Sequence, residues 1–456
     1  MGSYLAHMDI AAAVAWLASH VNREVDPSAA AAARRLEGIS AVLSYLDDPQ
    51  ASYPVVHLTG TNGKGSTARM VAALLAAHGL SVGTYTSPHL ERLNERLAWS
   101  GRPIPDDDLA EQLSAIAQLE PVLPEPLTHF EVLTAAAFRW FADVAVDVAV
   151  VEVGLGGRWD STNVADAAVA VVTNVALDHA ETIGPTLADI AAEKAGIVKP
   201  DSFLVLGESD EELAATFAQR PSAGMWQRGP DFGVTANRLA VGGRSVDLYS
   251  AGGAAYDDLF LPLHGAFQGD NASAAVAAAQ AFFGHPLDGT LVRAALGAVE
   301  VPGRMEVVGR EPLVVIDGAH NPAGAEAASA SLAEAFGHGP RILVVGMLVD
   351  RDPVEMLTAL RAAEARAVIA TTASSPRALP AEDIVAAAAT MGIIARAAGS
   401  VAEAVAAAVS EAGAGGTVFI AGSLYVAGPA RAALVTGGGM SARSARPDGQ
   451  GPRPRS

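Results

Sequence analysis

Ten residues constrain the fold of this chain more than any others: Leu58-Thr-Gly-Thr-Asn-Gly-Lys-Gly-Ser-Thr67. An apolar run, Pro54-Val-Val-His-Leu58, leads into them and reads as a short buried strand. A helical pattern, Met70-Val-Ala-Ala-Leu-Leu-Ala-Ala77, follows at once. Between the two stand Gly60, Gly63 and Gly65 around one lysine, Lys64. A strand that feeds a glycine loop into a helix is an α/β layer with an anion cradle at its end. The glycines let backbone N–H groups turn inward, the helix N-terminus adds its dipole, and Lys64 supplies a point charge. The strict pattern G-x-x-x-x-G-K-[ST] is not met. Leu58 stands where its first glycine belongs and Gly65 where its hydroxyl belongs; Ser66 carries the hydroxyl one residue late. The loop therefore reads as a nucleotide triphosphate site of variant type, against the rival of a ligand-free strand–helix turn.

The alternation continues along the chain. Strands are expected over 81–86, 148–153 and 167–174, and helices over 109–119, 130–144 and 187–197, before which 14–17 and 36–46 also read as helical. Such a sequence of elements argues for a parallel sheet covered on both faces. Residues 200–260 read as less regular, with small strands near 203–206 and 246–249. An alanine-rich helix over 270–283 precedes a change at Val301-Pro-Gly-Arg304. A second alternation then begins, with strands at 313–317, 342–346, 367–370 and 417–421 separated by helical stretches, the pattern of a Rossmann-like unit. The expected organisation is an ATP-binding α/β unit over 1–301, a C-terminal Rossmann-like unit over 302–436, and a Gly, Ser, Arg and Pro-rich tail over 437–456 that reads as disordered.

Charge and composition exclude several classes. The net charge is −20, with 50 acidic against 30 Lys and Arg residues, the reverse of what a phosphate backbone attracts, so no nucleic-acid partner is expected. The apolar runs are too short to span a membrane, and the first residues lack a secretory pattern. With no cysteine there are no disulfides or thiolate metal sites, and a cytoplasmic protein is expected. Lysine occurs only at 64, 194 and 199. In a chain that otherwise uses arginine, a lysine marks a place where a compact, readily perturbed ammonium is needed.

Other candidates lie beyond strand ends, where open α/β sheets bind ligands. Glu152 closes an apolar strand and leads into Gly154-Leu-Gly-Gly-Arg-Trp-Asp160; a carboxylate there is costly unless it is paired or holds a cation. Ser87, Glu152 and His179 form a small set that could serve a nucleotide-bound magnesium, with His179 the least usual of the three as a magnesium ligand. Lys194 sits on a helix expected to pack on the sheet, beside Glu193, with a solvated pair as the rival reading. Asp317-Gly-Ala-His-Asn-Pro322 follows a strand and suits a ribose contact, while His320 could be a mere turn residue.

These stretches together resemble the folylpolyglutamate synthase/dihydrofolate synthase family of the Mur ligase superfamily. The resemblance runs from about Leu36 to Gly428 and rests on Thr59-Gly-Thr-Asn-Gly-Lys-Gly-Ser66, Ser87-Pro-His-Leu90, Glu152-Val-Gly-Leu-Gly-Gly-Arg158, Asp178-His179, Glu193-Lys-Ala-Gly196, Pro302-Gly-Arg304, Asp317-Gly-Ala-His-Asn-Pro322 and Gly422-Ser-Leu-Tyr425. It implies a Mur-ligase-like α/β fold, with a P-loop ATPase domain on a mostly parallel sheet and a Rossmann-like second domain. It also implies an ATP-dependent ligase that adds L-glutamate to a reduced folate or to dihydropteroate, with ATP and two magnesium sites. By the same resemblance Gly60, Thr61, Asn62, Gly63, Lys64, Gly65, Ser66, Asn271, Arg304 and Asp317 would contact ATP. Ser66, Ser87, Glu152, His179 and Lys194 would serve magnesium, Lys194 as a carbamate. Phe130, Glu131, Arg158 and Asp160 would surround the pterin substrate, and Lys64, Lys194 and His320 would be catalytic.

Three departures stand out: Phe267-Gln268 where the family usually shows His-Gln, Trp159 in place of a leucine, and Glu37-Gly38-Ile39, which does not match the N-terminal segment that helps hold dihydropteroate in bifunctional members. Another amino-acid ligase of the superfamily is the alternative. A monomer with small-molecule substrates is expected, with hinge motion around 301–304.

Overall fold

The structure is a computed structural model that describes residues 8–22, 36–179 and 181–435. It opens with helices α1 (Ile10–Ala18) and α2 (Glu37–Tyr45). Asp9 caps α1 by accepting the Ala12 N–H at 2.8 Å. The main sheet has eight strands: β1 (Val55–Thr59), β2 (Val82–Tyr85), β3 (Leu97–Trp99), β4 (Arg102–Pro103), β5 (Val148–Glu152), β6 (Ala167–Val172), β7 (Phe203–Leu206) and β8 (Gly224–Gln227). Their spatial order is β4-β3-β2-β5-β1-β6-β7-β8. The six strands from β2 to β8 in that order run parallel, and β3 and β4 add an antiparallel edge. Helices α3 (Lys64–Ala77), α4 (Asp106–Leu119), α5 (His129–Asp143), α6 (Leu187–Lys194) and α7 (Glu211–Ala218) connect them.

Strand β1 shows why the sheet is covered twice. All five of its residues are buried. Val56 and Leu58 join one core with α3 and α8 (Phe267–Phe283), while Val55 joins another with α5. Each such side chain contributes about 1.5–3 kcal/mol on burial. Because β5 and β6 flank β1, the loop after β1 opens between their carboxyl ends, the crevice of a doubly wound sheet.

Residues 200–260 are more regular than their sequence suggests. Beyond β7 and β8 stands a separate antiparallel sheet of β9 (Gly233–Ala240), β10 (Gly243–Ser250) and β11 (Ala254–Leu261). Its strands are partly exposed, so their apolar alternation is weak; α8 covers one face. Helix α9 (Gly289–Gly297) then leads to the second unit.

That unit is a six-stranded sheet of β12 (Glu306–Arg310), β13 (Leu313–Ile316), β14 (Arg341–Val345), β15 (Ala367–Thr371), β16 (Ala395–Ala398) and β17 (Thr417–Ala421), in the order β12-β13-β17-β14-β15-β16. Only β12 is antiparallel. Helices α10 (Pro322–Phe336), α11 (Pro353–Ala359), α12 (Ala381–Thr390), α13 (Val401–Ala412) and α14 (Leu424–Val435) cover it. Strands β12 and β16 are short and half-exposed, which hides them from a reading of periodicity. The tail over 437–456 lies outside the described residues. Among the described residues no helix is long and apolar enough to cross a membrane.

Candidate active site at the carboxyl ends of the two sheets

The glycine loop is clamped from β6. Asn174 accepts the Thr61 N–H on its carbonyl at 3.0 Å and the Asn62 N–H on its side-chain oxygen at 3.0 Å. Thr173 and Asn174 side chains both donate to the Asn62 carbonyl, at 2.7 and 3.0 Å. Gly63 has a φ of +83°, and a Cβ there would lie 2.5 Å from Oδ1 of Asn271, so only glycine suits the turn. This places Asn271, at the start of α8, directly on the loop. Helix α3 starts at Lys64, and the N–H groups of Lys64, Gly65 and Ser66 bond to nothing among the described residues. Open amides at the start of a 14-residue helix are an anion site. Lys64 curls back over it, its Nζ donating to the carbonyls of Gly60 at 3.0 Å and Thr61 at 3.3 Å.

Glu152 ends β5 beside this loop. It is buried, a Cβ on Gly65 would be 3.3 Å from its Oε2, and it accepts one hydrogen bond, from the Ser87 N–H at 3.2 Å. Burial pushes its pKa up, against the pull of Lys64 and the Ser87 N–H. The hydroxyls of Ser66 and Ser87 make no hydrogen bond among the described residues. An under-bonded buried carboxylate with two unengaged hydroxyls near a phosphate cradle is a hard oxygen donor set, and it fits magnesium. Among the described residues no three His, Cys, Asp or Glu side chains converge by themselves, so the serines are needed to complete it.

The second edge of the site is Asp178. Its carboxylate accepts the Asn321 amide at 2.9 Å and pairs with Arg351 at 2.8 Å, both from the second unit. It also accepts its neighbour His179's N–H at 2.9 Å. Nε2 of His179 lies 3.8 Å and Nε2 of His320 3.7 Å from it. Asn321 also donates to the side chain of Asn62 at 3.1 Å, so the glycine loop touches the second sheet. Burial lowers the pKa of His179 to about 4 despite Asp178, so the ring is neutral at pH 7 and free to act as a ligand.

Lys194 ends α6 and is 3% exposed. Burial, with Lys64 nearby, lowers its pKa to about 7. No hydrogen bond or ion pair within 4 Å holds its ammonium among the described residues, so it is not half of a solvated Glu193 pair. The Gly154–Asp160 turn packs onto the same helix end: Arg158 N–H donates to the Glu193 carbonyl at 2.9 Å, and Trp159 N–H to the Glu193 carboxylate at 3.2 Å.

The four expected substrate contacts divide. Phe130 packs under Gly154, its ring 5.9 Å from Tyr85. Arg158 is exposed with its guanidinium over Trp159 at 5.1 Å. Glu131 closes a capping box on α5, its Oε2 accepting from Thr128 N–H and hydroxyl, both at 2.8 Å. Asp160 accepts from Leu155 N–H at 2.9 Å, Thr162 N–H at 3.0 Å and the Thr162 hydroxyl at 2.5 Å. Its carboxylate organises the turn.

In the second unit Asp317 accepts the N–H groups of Met305 at 2.8 Å and Ala319 at 2.7 Å. Burial raises its pKa while Arg304 opposes. Arg304 also lies near Glu152, and a Cβ on Gly318 would be 2.9 Å from its Nη1. Nδ1 of His320 lies 3.1 Å from the Gly318 carbonyl. Residues 302–306 therefore connect the two halves of the site.

Sequence reasoning passed over Thr173, Asn174, Asp178 as distinct from His179, Asn321 and Arg351. Asp178 and Asn321 lie within motifs already singled out; Arg351, inside Asp350-Arg-Asp352, offers no signal of its own.

Known proteins match both halves. Residues 58–279 match the Mur ligase middle domain, and residues 303–424 the Mur ligase glutamate ligase domain. The Mycobacterium tuberculosis dihydrofolate synthase/folylpolyglutamate synthase is 41% identical over 78% of this chain and 77% of its own. The Lacticaseibacillus casei folylpolyglutamate synthase is 38% identical over 75% and 82%. The solved Mycobacterium tuberculosis folylpolyglutamate synthase complexed with ADP superposes with a TM-score of 0.86 at 38% identity, covering 95% of this chain and 99% of that one. The Escherichia coli FolC complex with DHPP and ADP gives 0.83 at 29% identity, covering 96% and 99%.

Proposed function

The chain belongs to the folylpolyglutamate synthase/dihydrofolate synthase family of Mur ligases, and on that premise we infer that it is an ATP-dependent ligase that adds L-glutamate to a folate-type carboxylate. The observation that carries this reading is the meeting of an open phosphate cradle, an under-bonded carboxylate and a buried lysine with no partner among the described residues where the two sheets face each other. We assign ATP binding to the unit over 1–301 and glutamate ligation to that over 302–436.

The reaction has two steps. An oxygen of the folate carboxylate attacks the γ-phosphorus of ATP, the bond to the β,γ-bridging oxygen breaks, and ADP leaves as an acyl phosphate forms. Negative charge spreads over the transferred oxygens. Lys64 and the open amides of Lys64, Gly65 and Ser66 meet that charge without reorganising. The glutamate amine then attacks the acyl carbon, and the tetrahedral intermediate expels phosphate and loses a proton. His320 is the group we assign to that proton: with Nδ1–H given to the Gly318 carbonyl, Nε2 can accept, and Asp178 stands beside it. Neither step needs a protein nucleophile, so most of the work is positioning.

Ser66, Ser87, Glu152 and His179 would hold one magnesium, and Lys194, once carbamylated, would help hold a second. Bound magnesium supplies charge neutralisation at the phosphate oxygens. A lysine with a pKa near 7 presents the neutral amine that carbamylation requires. Asn271, Arg304 and Asp317 would line ATP. Phe130, from α5 with Glu131 in its capping box, and Arg158, from the turn organised by Asp160, would face the pterin substrate. We place the enzyme in the cytoplasm as a monomer, in keeping with its lack of cysteine and its small substrates.

The test is ATP turnover with L-glutamate and, in separate arms, dihydropteroate and a reduced folate. Phosphate release is expected in the reduced-folate arm. Release in the dihydropteroate arm as well would establish dihydrofolate synthase activity, and silence in every arm would overturn the reading. Intact-mass measurement before and after CO2 removal tests the carbamate on Lys194.

A further inference from the structure

Helix α14 makes an unusual contact. A Cβ at Gly428 would overlap the carbonyl oxygen of Leu90, so helix and loop meet backbone to backbone. One turn on, Arg431 donates from Nη1 to Glu91 at 2.6 Å and from Nε to both oxygens of Glu306 at 3.0 Å. Gly303, beside the hinge, faces the Leu90 side chain, which a Cβ would meet at 3.0 Å. From the opposite side the Glu95 carboxylate gathers the N–H groups of Leu90, Glu91 and Arg92 at 2.9, 3.0 and 2.7 Å. The loop held in this way begins at Ser87, whose N–H bonds Glu152.

Stability alone does not account for the arrangement. The Arg431 and Glu91 side chains are each 25% exposed, and a pair so exposed contributes little. What the pair and the glycine contact do is fix a position. Both come from the second sheet's last helix, yet the loop they fix belongs to the first sheet's phosphate side.

We propose that Gly428 and Arg431 are positioning residues for phosphoryl transfer: α14 grips the Leu90–Glu91 backbone, and that grip holds Ser87 against Glu152. The proposal rests on the ligase reading above. It makes the second unit a component of the phosphate side of the site, in addition to its place beside glutamate. The grip's own contacts are to Leu90, Glu91 and Glu306, none of which is assigned to ATP, so its loss leaves nucleotide binding intact and slows turnover.

The variants are Arg431→Ala, Arg431→Lys, Glu91→Gln and Gly428→Ala in the full chain. ADP affinity is measured at equilibrium, kcat and KM in the steady state, and amide exchange of residues 87–92 by mass spectrometry. Arg431→Ala and Gly428→Ala are expected to lower kcat by about tenfold to a hundredfold, the effect of a small misplacement, with ADP affinity unchanged and exchange in 87–92 faster. Arg431→Lys recovers part of kcat, and Glu91→Gln combined with Arg431→Ala is no worse than Arg431→Ala alone. Unchanged kcat and exchange in Arg431→Ala and Glu91→Gln would overturn the proposal, as would a loss that follows ADP affinity and melting temperature together. Should Gly428→Ala not fold, the other variants carry the test. A wild-type chain without folate-dependent turnover would refute the ligase reading, while the exchange measurement would still decide the grip.

Discussion

Glu152 and Asp178 are both buried carboxylates beyond strands of the same sheet, and they stand in opposite circumstances. Glu152 accepts one long hydrogen bond and burial pushes its pKa up. Asp178 is pushed up by burial too, but His320, His179 and Arg351 outweigh that and hold it well below the usual carboxylate range. The difference separates two uses of a buried charge. One is left under-bonded where a cation and phosphates belong. The other is fully engaged and joins the two sheets through Arg351 and Asn321.

The contrast breaks first at Glu152. Glu152→Gln keeps the shape and removes the charge; kcat should fall by about a thousandfold, the range seen when a preorganised electrostatic group is lost. Its melting temperature should be no lower than wild type, because the charge removed is under-compensated. A variant that keeps its activity but melts lower would reverse the roles of the two carboxylates.

Asp178→Asn should do the opposite. It removes the 2.8 Å partner of Arg351 and leaves that guanidinium only the longer 3.6 Å pair with Asp350, which costs about 2 kcal/mol, read from the denaturant midpoint. The pH dependence follows from the lowered pKa. The stabilisation is fully present above the unfolded value of 3.8 and is lost as pH falls below it, so the two proteins should converge in acid.

Lys194 sharpens the comparison with a charge of the other sign. Its pKa drops from 10.5 unfolded to about 7 folded. Between those values the unfolded chain holds the extra proton, so stability should rise with pH by about 1.4 kcal/mol per unit in CO2-free buffer. Lys194→Met should flatten that slope, as pH-resolved unfolding curves would show. The smallest effect concerns Glu131. Removing the capping-box carboxylate in Glu131→Ala should cost about 1 kcal/mol of stability.

The glycine loop was legible because strand, turn and helix are contiguous, and each residue's job is local. Lys194 was legible through scarcity. The Asp178 seam was not, since Asn321 lies 143 residues away and nothing in a single sequence pairs them. Glu131 and Asp160 were expected beside the pterin through the family resemblance, which says nothing of the local N–H and hydroxyl groups that their oxygens satisfy. Of the sheet of β9 to β11 only the 246–249 stretch of β10 was read as a strand, because half-exposed strands carry little apolar alternation.

The three lysines have one more consequence. Lys64 lies over the glycine loop, Lys194 is buried at the end of α6, and Lys199 donates to the carbonyls of Asn163 at 3.0 Å and Ala165 at 2.7 Å. Every other cationic side chain that stays charged at neutral pH is an arginine. Apart from the α-amino group, all the primary amines of the molecule are therefore at the reaction centre or bracing the turn beside it. Lys199 is partly exposed in its 2.9 Å pair with Asp166, so an amine-directed reagent mapped peptide by peptide, with and without nucleotide, reads the occupancy of the centre at Lys64 with Lys199 as an internal reference.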